Sequence, residues 1–541
     1  MSSLRPERLI AIALVAFTIG CGGSSSNSNV SSPSPPASVA VTITPTAASV
    51  GVGQLQQFAA TVTGSSNTTL TWQVNSVVGG NTTTGTITSS GLYTAPATVP
   101  TGQVTVTAVS QADPSKSASA GITIVAASTA ALVPLVDVAT SYYSPGTNSS
   151  GVPCNGSNGC TPVNFQRGLY GSGANSAASP QDTDGKTFAS SLQTLQNTQE
   201  VVAFCIGMSI MQQNCNQLVS DYDASSLVKK DPQLHFFDTA QPGYNGCLWA
   251  YWNPVDGPGT TPNVPSSCPR GTYPVPPYVN INTADLPAIQ TCGTNHNTAC
   301  GVNDVRVVIW QDADAQPTIA LPCTGSATPS GTYFKDYRLN SYLPCSGLAD
   351  AYQLEQFMAM AARSVRYNYP NCVLMLIVSR NYAGYSRAPL NPEPYAYEAG
   401  FAAQFLMKAQ AAQCTASMTC STTPGDSYAG DLSYVATSGN ACGGSPCAPL
   451  ILWLGYTWAN GSTPRGTDGL IWCDASYTSG QSGPPCEGEE DYDVAGDPHA
   501  SSDGSKKWSS ATQSVPATSG TWPGVLGNLL NGAYTKPWFH D

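Results

Sequence analysis

Four short blocks of this chain carry side chains suited to acyl transfer. "VVAFCIGMSIMQQ" places Ser209 two residues after a glycine, where an apolar run gives way to a helix-forming one. A serine there can expose its hydroxyl beside a helix N-terminus, whose free N–H groups favour developing negative charge. The same serine could instead cap that helix. "QPGYNG" holds Gly243, which either offers an unobstructed backbone N–H or makes an ordinary turn, and "DADAQP" holds Asp312 and Asp314. "DVAGDPHASSDG" holds His499, one of 4 histidines, with Asp497 two positions before it. A hydroxyl nucleophile needs an adjacent base, and the base needs a group that orients it.

These blocks follow apolar, β-branched runs at "VVAFCIG" (201–207), "LHFFDTA" (234–240), "VRVVIWQ" (305–311), "VLMLIVS" (373–379) and "LILWLGY" (450–456). Between the last three lie helical patterns. "LADAYQLEQFMAMAARSVRYN" puts Leu354, Phe357, Met358, Ala361 and Val365 on one face, and "YAYEAGFAAQFLMKAQAA" does so with Tyr397, Phe401 and Leu406. Buried strands alternating with helices predict a mainly parallel five-stranded sheet in an α/β three-layer domain over residues 130–541. Ligands in such sheets collect at the carboxyl ends of the strands. Asn245, Arg380, Tyr382 and Tyr385 stand there as candidate substrate-binding residues, and Arg380, Arg387 and Glu398 either bind substrate or form a structural ion pair.

The chain before this domain is different. Arg5 and Arg8 precede a short apolar run ending at Cys21, too short to span a bilayer and suited to a signal peptide over residues 1–21. Residues 22–37 form a Ser/Pro-rich tether. Over 38–126 short alternating runs separated by Gly and Asn predict an all-β sandwich.

Of 18 cysteines, 17 follow Cys21 and all of these lie between Cys154 and Cys486. The close pairs Cys154/Cys160, Cys292/Cys300, Cys414/Cys420, Cys442/Cys447 and Cys473/Cys486 suit small disulfide loops in an oxidising compartment. No C-x₂-C knuckle favours zinc, and no metal or cofactor is expected. The odd count leaves a thiol over, Cys372 or Cys205 by position in an apolar run. A net charge of −12 without a Lys/Arg cluster argues against nucleic acid. "CEGEEDYDVAGD" (486–497) reads as a solvated acidic loop and "DTDG" (182–185) as a turn.

Three resemblances add to this. "VTITPTAASVGVGQLQQFAATVTG", "LTWQVN", "GTITSSGLYTAPA" and "VTVTAVSQADPSKSASAGITI" closely resemble the bacterial Ig-like group 2 domain, a spacer or adhesive module. Gly20-Cys21 followed by "GGSSSNSN" resembles a bacterial lipobox. That implies lipidation of Cys21 and an exported, envelope-anchored protein. Gly22 favours the outer membrane. The order Ser209, Gly243, Asp314, His499, with "SRNYAGY", "LNPEPYAYEAGF", "WANGSTPRGTDGLIW" and "KPWF", resembles the SGNH (GDSL-like) hydrolase superfamily over roughly residues 165–540.

The SGNH resemblance implies a serine esterase acting on acyl or acetyl esters, carbohydrate esters among them. In it His499, oriented by Asp497, Asp493 or a backbone carbonyl, takes the Ser209 proton, the Ser209 and Gly243 N–H groups hold the oxyanion, and water activated by His499 releases the acid. Two positions depart from its pattern. Asp314 stands where the superfamily has an oxyanion-holding Asn, and an ionised carboxylate there would repel the oxyanion. Asp497 lies two rather than three residues before His499. Those departures keep a second reading open, a catalytically inactive surface protein that binds glycans or serves in adhesion.

Overall fold

The protein is described from a computed structural model. Its described residues are 38–51, 55–96, 99–125, 132–137, 165–224 (less 166 and 172), 231–256, 277–289, 299–311, 349–381, 391–472 (less 392, 427 and 462), 499–509 and 525–539, with isolated positions between. The N-terminal segment with Cys21, the 22–37 tether, the acidic run and the pairs Cys154/Cys160 and Cys473/Cys486 lie outside them. Among the described residues no helix is long and apolar enough to cross a membrane.

The regular elements among the described residues of 40–125 are all β-strands. Val104–Ser110 pairs antiparallel with Ser117–Val125 and with Leu70–Val74 in a five-stranded sheet, and Leu55–Gln57 and Leu92–Thr94 belong to a four-stranded one. Alternation along Val104–Ser110 puts Val104, Val106 and Ala108 fully inside, against Phe58, Trp72, Val74, Tyr93 and Ile122. The alternation in the sequence is therefore that of strands with one face in a core and one in solvent.

The second unit is α/β. Its sheet comprises β1 (Val201–Gly207), β2 (Leu234–Asp238), β3 (Val305–Gln311), β4 (Leu374–Val378) and β5 (Leu450–Gly455). Their order is 2-1-3-4-5 and every pairing is parallel. The five apolar runs thus become the five strands, with the last residues of runs 2, 4 and 5 passing into loops.

Both faces of this sheet are covered, which is why the runs are continuous rather than alternating. Val202, Phe204, Ile206, Met375, Ile377, Ile451 and Trp453 point into one core. There they meet α3 (Gly246–Ala250), α4 (Asp350–Asn368) and α5 (Tyr395–Gln413). Val201, Ala203, Cys205, Leu374, Leu376, Leu450 and Leu452 point into the other. That core is closed by α1 (Ser179–Leu195), α2 (Ser209–Ala224), α6 (Ser502–Ser509), α7 (Val525–Asn531) and α8 (Lys536–Phe539).

On α4, Leu354, Met358, Ala361 and Val365 are buried as the pattern predicts, and Phe357 is half-buried at the margin. "DTDG" is not a turn but part of α1. Asp182 pairs with Lys186 at 2.7 Å one helical turn on, and buried Asp184 accepts hydrogen bonds from Tyr434 Oη at 2.6 Å and Met418 N at 2.9 Å. A carboxylate with two donors satisfies its burial without needing a loop.

Cys292–Cys300, Cys414–Cys420 and Cys442–Cys447 are disulfide pairs, as their spacing predicts. Cys205 is not the spare thiol. It bonds Cys215 on α2, Cα atoms 6.4 Å apart, while Cys372 is free and fully buried. Burial pushes the Cys372 thiol up to about 12.

Candidate active site

The strand order reverses at β1, whose neighbours are β2 on one side and β3 on the other. The crevice beyond their carboxyl ends is where such sheets hold ligands. Ser209 emerges there. Gly207, the last residue of β1, has φ +146°, and a Cβ on it would lie 2.1 Å from the Gln311 carbonyl oxygen at the end of β3. Only glycine lets the chain pass that close before turning into α2. Ser209 is the first residue of that helix, so its backbone N–H belongs to the unpaired, partly positive N-terminal turn.

The Ser209 hydroxyl meets the ring of His499, Oγ to Nε2 2.6 Å, across 290 residues of sequence. Both side chains are half-buried. The hydroxyl is thus committed to an imidazole rather than to capping its own helix. On the histidine side, Ser501 caps α6 by accepting the Gly504 N–H at 3.0 Å. Helix α6 then packs on α2, tied at its far end by Ser509 Oγ donating to Asp221. Lys507 lies 5.4 Å from the Trp472 ring centroid, a cation–π contact on the same helix.

A buried polar chain, which sequence reasoning missed, fixes these elements to the strand ends. Ser505 Oγ donates to Asn214 Oδ1 at 3.2 Å, and Asn214 Nδ2 donates to Gln311 Oε1 at 3.1 Å. Gln311 Nε2 donates to the Ser379 carbonyl at 2.7 Å, and Thr457 Oγ1 reaches that same carbonyl at 2.7 Å. Asn214, Gln311 and Thr457 are fully buried. The chain links α6, α2, β3, β4 and β5, so the helix that follows His499 is registered against the helix that begins at Ser209. No periodic signal marks such residues, each being a lone polar side chain in an apolar neighbourhood.

Gly243 sits in the turn after β2 with φ +82°. That turn is bound to the nucleophile's own approach, because Gln241 N–H donates to the Gly207 carbonyl at 3.0 Å and Tyr244 N–H to the Gln241 carbonyl at 3.1 Å. Asn245 is buried, and its side-chain oxygen accepts the Leu248 N–H at 3.2 Å, capping α3. Arg380 is buried just beyond β4. Glu398, also buried, accepts the Leu321 N–H with both oxygens at 3.0 Å. Asp493, Asp497, Asp312, Asp314, Tyr382, Tyr385 and Arg387 lie outside the described residues.

Asp238 ends β2, and burial pushes its carboxyl up to about 8 despite a hydrogen bond from the Ala240 N–H at 3.0 Å. It lies against Cys205 and Cys215, but those sulfurs are bonded to each other and are not metal ligands. The other such grouping, His235 with Cys292 and Cys300, likewise contains a disulfide. His235 belongs to the opposite end of the sheet, where its Nε2 lies 2.9 Å from Glu200 Oε2. One length of β1, about 20 Å, separates that pair from Ser209.

A half-buried serine at a helix N-terminus, in hydrogen-bond contact with a histidine, is an arrangement suited to nucleophilic acyl transfer. No protein-family model matches the chain, and the comparison with curated proteins finds no significant match.

Proposed function

We propose that the α/β domain is a serine esterase of the SGNH type, acting on acyl or acetyl esters. In the same proposal Cys21 carries a lipid anchor in the cell envelope, and the N-terminal all-β unit is an Ig-like spacer. The observation that carries the catalytic reading is the 2.6 Å contact between Ser209 Oγ and His499 Nε2 at the switch point of the sheet. Disulfide-paired cysteines fit an exported protein.

In this reading His499 Nε2 accepts the Ser209 proton as Oγ bonds to the ester carbonyl carbon. The oxyanion forms against the Ser209 N–H and the Gly243 N–H. Collapse breaks the C–O bond, and His499 returns the proton to the departing alcohol. Water then repeats the sequence on the acyl-enzyme. The short Ser–His contact makes the first proton transfer available without rearrangement. Losing one of the two oxyanion donors would cost on the order of 10²–10³ in rate.

The test is hydrolysis of 4-nitrophenyl acetate by the purified protein. The proposal expects turnover that falls at least about 10³-fold in Ser209→Ala and in His499→Ala. Hydrolysis that is unchanged in Ser209→Ala would overturn it, and no hydrolysis at all would favour the glycan-binding or adhesive reading.

A further inference from the structure

Asn214 stands in the middle of the buried polar chain, five residues and about 7.5 Å of α2 beyond Ser209. Its neighbours allow that chain one direction only. The Ser379 carbonyl can accept but not donate, so Gln311 must turn Nε2 to it, at 2.7 Å, and Oε1 to Asn214. Asn214 then has to donate through Nδ2 at 3.1 Å and to accept the Ser505 hydroxyl through Oδ1 at 3.2 Å. Reversing the amides would set the Gln311 and Ser379 oxygens against each other. The foot of the chain is itself held, because Ser379 Oγ accepts the Thr457 N–H at 2.7 Å and the Trp458 N–H at 3.1 Å. Both ends bear on the pair. Gln311 is the residue that Gly207 passes on the way to Ser209, and Ser505 lies in the first turn of α6, six residues after His499.

We infer that Asn214 is a positioning residue of the reaction, setting Ser209 against His499 through Gln311 on one side and Ser505 on the other. The inference rests on the esterase reading of the pair. Asn214 is fully buried and acts only through its two neighbours. The contact of Ser509 with Asp221 holds the far end of α6 on α2, and the Asn214–Ser505 bond is the tie nearer the histidine. Leucine keeps the branched outline of asparagine but has neither donor nor acceptor, so Asn214→Leu cuts the chain on both sides. Misplacing reacting groups by about 1 Å can cost on the order of 10²-fold in rate, and a few tenths of an ångström of slack about tenfold.

The experiment measures kcat and KM for 4-nitrophenyl acetate, and the rate at which a fluorophosphonate labels Ser209. Full-length wild type is compared with Asn214→Leu, Ser505→Ala, Ser505→Thr and Asn253→Ala. Asn253 is the control for lost stability alone. It is also buried, donating to Ser364 Oγ at 2.9 Å and accepting the Asp256 N–H at 3.0 Å, beside α4 and across the sheet from α2.

Acylation and deacylation both run through the pair, so a misplaced pair lowers kcat and leaves KM. Asn214→Leu is expected to lower kcat and labelling together by about tenfold or more, with KM changed less than about threefold. Ser505→Ala should do the same more weakly, and Ser505→Thr, which keeps the hydroxyl, should recover most of that loss. Asn253→Ala should lower the urea midpoint and leave both rates at the wild-type level. Wild-type rates in a folded Asn214→Leu, or equal losses in Asn253→Ala, overturn the positioning role and leave the esterase standing. Should Asn214→Leu not fold, wild-type rates in Ser505→Ala overturn it equally. A wild type that neither turns over nor labels removes the esterase, and the positioning role with it.

Discussion

Gly207→Ala tests the packing that places Ser209. A Cβ at this position would lie 2.1 Å from the Gln311 carbonyl oxygen and 2.9 Å from Met211 Cβ. A carbon and a carbonyl oxygen need roughly 3.3 Å, so the gap must widen by about 1 Å. Neither neighbour yields easily. Gln311 is paired with Gly207 itself in the ladder, and its side chain is held by Asn214 and by the Ser379 carbonyl. The φ of +146° adds backbone strain for any residue with a side chain.

Strain of about 1–3 kcal/mol and overpacking of about 1–3 kcal/mol give a loss of roughly 2–6 kcal/mol, a large share of the ~5–15 kcal/mol typical of a folded protein. Urea unfolding followed by tryptophan fluorescence reads it, since Trp249, Trp310, Trp458, Trp472, Trp508 and Trp538 are fully buried in this domain. Gly173→Ala is the control. Its φ is +76° but a Cβ there meets nothing within 4 Å, so it carries the strain without the clash. If Gly207→Ala costs no more than Gly173→Ala, the steric account of the turn is wrong.

Two further perturbations follow from the surroundings of the pair. The Asp238 carboxyl is held up to about 8 in the folded protein against roughly 3.9 when unfolded. The folded state therefore binds more protons between these values, and its contribution to stability is complete below about pH 4 and lost as pH rises through 8. The urea midpoint of Asp238→Asn should match wild type near pH 4 and exceed it near pH 8; parallel profiles would contradict the assignment. Replacing Cys205 and Cys215 together by alanine opens a loop whose ends are 10 residues apart. On chain entropy that costs about 2.5 kcal/mol, read as a lower urea midpoint of the double variant. No difference in urea midpoint between the double variant and wild type would refute it.

The five strands and two long helices were legible in the sequence because the sheet is covered on both faces. Burial on both sides demands unbroken apolar runs, and helices between them demand a parallel sheet. The site was legible in outline for a related reason. Loops after strands converge on one edge of such a sheet, so Ser209 and His499 could be paired by their places after the first and fifth runs despite their separation. The ties that hold them could not be read. Asn214, Gln311 and Ser505 are single polar residues whose meaning exists only after α6 has packed on α2. Cys205 misled because an apolar strand context suggests an isolated thiol, whereas its partner lies nearly two turns into the next helix, past the Ser209 bend.

An activated serine is distinguished from an ordinary one by its reaction with a fluorophosphonate, in which the serine oxygen bonds to phosphorus and displaces fluoride as a base takes the hydroxyl proton. Full-length protein is incubated with such a reagent and the modified peptide identified by mass spectrometry. A single stoichiometric adduct is expected on Ser209, lost in a folded His499→Ala variant. No adduct at Ser209, or an adduct formed equally well without His499, would contradict the account.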